Sequence, residues 1–184
     1  AEDGIRDKLV TGVQTCALPI FVFTDGSCYP NDGTGDGGWA FECHYNATSA
    51  LKHGWTEKTS NNAMEITAIL RAFQYIPIGS TPIVIYTDST YCKNVITSWA
   101  AIWEQDGWRT STGTQVKNIE LIKELIALID THKEHRQVTV KWVKGHIGIA
   151  QNESVDAAAG RARKERASNW DEQKHNKHRE RLLH

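Results

Sequence analysis

The stretch FVFTDGSC at residues 21–28 runs apolar, strand-forming residues straight into a carboxylate, and PIVIYTDS at residues 82–89 repeats the grammar. Continuous runs of Phe, Val and Ile, bounded by Gly or Pro, fit strands in the middle of a sheet covered on both faces. A strand with one wet face would alternate polar and apolar residues instead. Asp25 and Asp88 then sit at or near the carboxyl ends of two such strands. In open α/β sheets that edge is where side chains from separate strands converge and where ligands bind. An Asp there can also do no more than cap the following turn, since its carboxylate accepts bonds from nearby backbone amides. Two Thr-Asp endings, each with a Ser within two residues, in one small chain favour chemistry over that reading.

A length of 184 residues suits one domain with tails, and 40% hydrophobic residues suffice for a core. No apolar run approaches the roughly 20 residues that span a bilayer, so no membrane partner is expected. Cys16, Cys28, Cys43 and Cys92 form no Cys-x-x-Cys pair and no dense framework. That spacing argues against a metal knuckle or disulfide scaffold and makes a reducing, cytoplasmic setting the expectation. The net charge of −1 hides an asymmetry: residues 21–160 carry 11 Lys/Arg against 15 Asp/Glu, whereas residues 161–184 carry 8 against 4.

Residues 1–20 show neither helical nor strand periodicity and lack the basic-then-apolar order of a signal peptide. They closely resemble the translation of a short-read sequencing adapter, with Lys8 and Leu9 where its variable index falls, and are expected to be a non-native leader. After FVFTDGSC comes a Gly-rich loop, YPNDGTGDGG, then WAFECHYN and LKHGWTEK, giving a meander of three antiparallel strands. NNAMEITAILRAFQYI has helical spacing, with Ile66, Ile69, Leu70 and Phe73 on one face and Ser60 or Asn61 as the cap. PIVIYTD is the fourth strand, STYCKNVITSWAAIWEQDGW one helix broken into two, QVKNIELIKELIALIDTH an amphipathic helix and QVTVKWVKG the fifth strand. A last helix begins near Asn152. This order implies an α/β fold with a mixed five-stranded sheet, three strands antiparallel and two parallel, flanked by helices on both faces. The expected domain spans residues 21–165, followed by a charged tail, 166–184, read as a helical extension, with nonspecific nucleic-acid attraction as the alternative.

Glu65 lies in the first turns of its helix, Asp156 in NESVDAAAG near the start of the last helix, and His146 in VKGHIG after the fifth strand. Each has an ordinary explanation: acids near helix starts complement the helix dipole, and a loop His is commonly solvated. Together, TDGS with Asp25, NNAMEITA with Glu65, YTDS with Asp88, KGHIG with His146 and NESVDAAAG with Asp156 resemble ribonuclease H of type 1. The resemblance covers about residues 20–165, with 40 residues from Asp25 to Glu65, 23 on to Asp88, and 10 from His146 to Asp156.

The resemblance implies an endonuclease that hydrolyses the RNA strand of an RNA–DNA hybrid, leaving 3′-hydroxyl and 5′-phosphate ends. Its catalytic residues are Asp25, Glu65, Asp88, His146 and Asp156, and the four acids are its metal ligands. Converging carboxylates repel one another and are tolerable only when protons or cations neutralise them. An all-oxygen donor set favours Mg²⁺ or Mn²⁺ over zinc, and two ions about 3.5 to 4 Å apart suit phosphodiester hydrolysis. Asp25 is expected to bridge both ions, Glu65 and Asp88 to hold the one that activates water, Asp156 the other, and His146 to assist proton transfer. Glu153 is a possible fifth acid, with helix capping or a solvent-facing role as its ordinary reading.

By the same resemblance Asn31, Ser60, Asn61 and Asn62 are candidates for hybrid contacts, with helix capping as the alternative for Asn61 and Asn62. Thr90 stands where the family often has an amide. The segment SWAAIWEQDGWRTSTGTQVKN resembles a substrate-binding handle. In it Trp108, Arg109 and Lys117 are the candidate contacts, Trp99 and Trp103 could equally pack the handle onto the core, and Glu104 and Asp106 dilute its positive charge. A monomer is expected. The rival readings are a transposase, integrase or resolvase of the same fold class, a binding module without catalysis, and the nuclease part of a polyprotein.

Overall fold

A computed structural model describes residues 18–145 and 148–174 of the chain. The sheet has the order β3-β2-β1-β4-β5, built from β1 (Ile20–Tyr29), β2 (Asp36–Tyr45), β3 (Thr48–Thr56), β4 (Ile83–Thr87) and β5 (Val138–Trp142). The first three strands form an antiparallel meander, and β4 and β5 add to β1 in parallel. Helix α1 (Asn61–Tyr75) crosses over one face and packs against α4 (Ile119–Lys133); α5 (Ala150–Glu165) lies on the other face, over β1, β2 and β3.

The main core lies between the sheet and α1 and α4. Val22, Phe41, Ile83 and Ile85 meet Ile66, Ile69, Leu70 and Phe73 there, all buried, as the helical spacing of NNAMEITAILRAFQYI requires. A smaller cluster on the other face joins Ala40 to Val155, Ala158 and Ala159, with Phe23 against it. Small residues on both sides let α5 approach closely: a Cβ on Gly38 would come 2.1 Å from the Ala159 carbonyl oxygen.

Three local expectations change. The Gly-rich segment is not all loop: β1 continues to Tyr29 and β2 begins at Asp36, so Gly37 and Gly38 lie within the ladder. The helix after β4 is not broken. Short helices α2 (Thr90–Asn94) and α3 (Ala100–Gln105) are joined by a π-helical turn over Val95–Trp99, and the junction residues keep right-handed dihedrals. One extra residue per turn is absorbed without interrupting the rod. Finally, α5 does not run on through the tail, because Arg166 adopts a left-handed conformation (φ 49°) and turns the chain back along β3. Asn169 accepts from the His53 amide (2.8 Å) and donates to the Leu51 carbonyl (3.1 Å), and Trp170 sits edge-on against Trp39 and Phe41. Residues 168–170 thus cover part of the exposed edge of the sheet, which would otherwise offer unpaired backbone groups.

Candidate active site

The two Thr-Asp pairs come together through strand register. The parallel ladder between β1 and β4 ends at Thr24 opposite Thr87, so Asp25 and Asp88 are the first residues beyond it on neighbouring strands. Asp25 is not at the end of its own strand, however. It is the sixth residue of β1 and pairs with Ala40 of β2, so only its β4 side is free of ladder. Thr24 and Thr87 are fully buried, and their hydroxyls engage the backbone: Thr24 donates to the Tyr86 carbonyl (3.3 Å) and Thr87 accepts from the Ser89 amide (3.1 Å). Ser89, not Asp88, caps α2, accepting from the Cys92 amide at 3.1 Å.

Glu65 reaches this point because Gly26 lets α1 lie directly on β1. A Cβ at Gly26 would stand 2.3 Å from the Glu65 amide nitrogen. Carboxylate oxygens of Asp25, Glu65 and Asp88 all fall within 4.8 Å of one another. On the opposite side Gly145, in the loop after β5, is as close: a Cβ there would meet Asp88 Oδ2 at 2.6 Å. His146 lies outside the described residues. Asp156 is exposed on the second turn of α5, near enough for its charge to act on Asp25. Glu153, also exposed, sits in the first turn of that helix.

Burial and crowding show in the acids' titration. Burial, then the charges of Asp88 and Asp156, push the Asp25 carboxyl up to about 7. Burial, then the charges of Asp25 and Asp88, hold Glu65 well above the usual carboxylate range. Glu65 Oε2 is buried with no hydrogen-bond partner among the described residues. Packed acids with an unsatisfied buried oxygen form a donor set suited to a hard divalent ion, so these residues fit the metal the sequence implies.

The expected hybrid-contact residues divide into two places. Asn31, Ser60, Asn62 and Lys117 line one groove of about 410 Å³, together with Trp103 and Thr110. Ser60 caps α1 by accepting from the Ala63 amide (3.3 Å), and Asn31 accepts from the Asn61 amide (2.8 Å). Asn61 accepts from the Cys28 amide (2.6 Å) and ties α1 to β1, so capping and groove lining coexist at this helix start. Trp108 lies instead on the other side of the handle, packed against the core, with Lys123 Nζ 5.1 Å from its ring. Trp99 and Trp103 pack on the core and on each other, their rings 5.7 Å apart. Arg109 is exposed and donates to the Gly113 carbonyl (3.0 Å). The sequence reading missed Ser27 and Arg163, which border the acids. Arg163 lies seven residues beyond Asp156, two turns along one helix face, and that spacing was the available signal.

Comparison with known proteins agrees with this geometry. The family model described as RNase H matches residues 18–164. The chain is 38% identical over 143 residues to a ribonuclease H of Neisseria gonorrhoeae, covering 78% of this chain and 94% of that protein. It is 39% identical over 143 residues to a ribonuclease H of Francisella tularensis subsp. novicida, covering 78% and 90%. Among solved structures, it is similar to LC9-RNase H1, described as a type 1 RNase H with the type 2 active-site motif. That match has a TM-score of 0.70 and 26% identity, covering 83% of this chain and 75% of that one. A foamy viral protease-reverse transcriptase in complex with an RNA/DNA hybrid shares the fold, with a TM-score of 0.66 and 16% identity, over 88% of this chain and 22% of that one.

Proposed function

This chain belongs to the ribonuclease H family, type 1, and on that premise we propose that it hydrolyses the RNA strand of RNA–DNA hybrids with two divalent cations, leaving 3′-hydroxyl and 5′-phosphate ends. The observation that carries the reading is the convergence of Asp25, Glu65 and Asp88 within 4.8 Å at the end of the β1–β4 ladder. Asp25 feels the charges of both Asp88 and Asp156, so it is the acid we assign to both ions. Glu65 and Asp88 would complete the holding of one ion, and Asp156 of the other. Bound there, Mg²⁺, or Mn²⁺ in its place, supplies the positive charge that activates water and stabilises the leaving oxygen.

The protein's own part is to position. The ladder and the Gly26 contact fix the three acids on rigid elements, so they need little rearrangement when charge develops. The groove of Asn31, Ser60, Asn62 and Lys117 offers amides and a hydroxyl, which both donate and accept, and one cation for a backbone phosphate. Such groups suit the wide minor groove of an A-like duplex, where 2′-hydroxyls are displayed. His146, from its Lys-Gly-His-Ile-Gly motif, is assigned to proton transfer.

The test compares a labelled RNA–DNA hybrid with double-stranded RNA, double-stranded DNA and single-stranded RNA, each with Mg²⁺ or Mn²⁺. Cutting confined to the RNA strand of the hybrid, and abolished in Asp25→Asn and Asp88→Asn, is the expected result. Near wild-type cleavage by either variant, or equal cutting of double-stranded DNA, would refute the assignment.

A further inference from the structure

The handle is a weak source of phosphate contacts. Its cations are Arg109 and Lys117, and Glu104 and Asp106 stand in the same segment. A chain with a net charge of −1 that binds a polyanion needs positive charge gathered somewhere, because phosphate neutralisation supplies most sequence-independent affinity. The described residues gather it on the C-terminal half of α5.

We propose that this half of α5 is a cradle for the sugar-phosphate backbone of the strand being cut, with Arg163 and Lys164 as its principal phosphate contacts. The inference rests on the hybrid-cleaving reading above, because it takes the scissile phosphate to lie at the carboxylates. A cleft of about 590 Å³ runs from Asp156 and Ser27 to Arg161, Arg163 and Lys164, with Gly160 in its wall. Asp156, Gly160, Arg163 and Lys164 are spaced i, i+4, i+7 and i+8, which places them along one helix face. The two cations therefore lie about 10 to 12 Å along the axis from Asp156, at 1.5 Å per residue. Phosphates of one strand succeed one another about every 3.4 Å of duplex axis, so a strand held at the acids comes within reach of the cations in a few nucleotides at most. A backbone whose reacting phosphate is at the acids passes the cations next.

The side chains are prepared for this. Arg163 is half-buried; its Nε–H donates to Ser27 Oγ (3.2 Å), and its guanidinium carbon lies 5.9 Å from the centre of the Tyr29 ring. These contacts fix the guanidinium without neutralising it, and the fork keeps further N–H groups for an anion. Neither Arg161, Arg163 nor Lys164 forms an ion pair among the described residues. Other arginines nearby are already paired: Arg166 meets Asp36 (2.7 Å) and Glu57 (3.6 Å), and Arg71 meets Glu172 (2.8 Å). Glu165 also lines the cleft, leaving three cations against one acid beyond Asp156. At Gly160 an added Cβ would meet nothing within 4 Å, so the middle of the face is open.

The test is a salt titration of hybrid binding by the full chain. Fluorescence anisotropy of a short labelled hybrid is followed in EDTA, where the strand stays intact, across a KCl series. Cleavage kinetics with Mg²⁺ are measured in parallel. The triple variant Arg161→Gln/Arg163→Gln/Lys164→Gln should weaken binding at every salt concentration and lower the slope of log Kd against log [KCl] by about two to three, near 0.9 for each lost phosphate contact. In the kinetics its loss should fall mainly on KM. Gly160→Glu places a negative charge in the open wall, improves helix propensity, and should raise KM in the same sense. A thermal melt checks that both variants are folded. Folded variants with unchanged slope and KM overturn the cradle. Failure of the wild-type chain to cut any hybrid overturns the catalytic reading instead, and the anisotropy slopes still decide whether α5 binds the backbone.

Discussion

Two parts of this molecule bury ionisable groups and treat them in opposite ways. Between α1 and α4, His132 is wholly buried, and burial pushes its imidazole down to about 4. It stays neutral and donates from Nε2 to the Phe73 carbonyl (3.1 Å), joining the two helices. At the end of the β1–β4 ladder, Asp25 and Glu65 are also buried, but they face like charges, and Glu65 Oε2 has no hydrogen-bond partner among the described residues. The first arrangement leaves only a neutral ring nitrogen, Nδ1, without a partner among the described residues; the second crowds like charges that protons or cations must settle. A buried group that its surroundings keep neutral reads as structure, and like charges held together by rigid elements read as a site.

The largest expected difference is catalytic. Glu65→Gln keeps the shape of the side chain but removes its charge, and should lower hybrid cleavage on the order of 10²- to 10³-fold, the loss typical when one transition-state-stabilising group is removed. His132→Leu, measured per folded molecule in the same assay, should change turnover less than twofold. Comparable losses in both variants would erase the distinction.

Stability should move the other way at the acids. The folded pKa of Asp25 is raised to about 7. Its contribution is therefore fully present below the unfolded value near 4 and is lost as pH rises through about 7. In metal-free protein at pH 8, Asp25→Asn should gain on the order of a few kcal/mol, read by urea denaturation. Added Mg²⁺ should stabilise wild type more than the variant, because cations bind the native cluster. Equal stability of the two proteins across this pH range would show that the carboxylates are not strained.

The smallest effect belongs to His132. Its folded pKa is lowered to about 4, so its contribution is present above the unfolded value near 6.5 and is lost as pH falls through about 4. His132→Leu should cost about 1 to 3 kcal/mol at pH 8 by orphaning the Phe73 carbonyl, and should flatten the acid limb of the stability curve. An unchanged acid limb would mean that another group titrates there.

Much of this was legible in the chain. The acids announced themselves because each interrupts a local pattern: Asp25 and Asp88 follow apolar strand runs, and Glu65 sits on a helix whose neighbours are apolar. The sheet followed from the same runs and the Gly and Pro that bound them. What stayed hidden depends on contacts between distant residues. Gly37 and Gly38 look like loop until Met64 and Ala159 are seen packed where side chains would be. The tail looked like more helix because nothing local marks the left-handed Arg166 or the docking of Trp170 on Trp39. Arg163 stood out no more than its basic neighbours, because nothing local shows the bond to Ser27 that ties it to the strand carrying Asp25.

The most direct measurement is anomalous diffraction from crystals of the chain grown with Mn²⁺. The account requires anomalous peaks among the carboxylates of Asp25, Glu65 and Asp88, with a second position toward Asp156, and their loss in Asp25→Asn. Crystals that cleave hybrid in solution yet show Mn²⁺ only elsewhere, or none within reach of these oxygens, would contradict it.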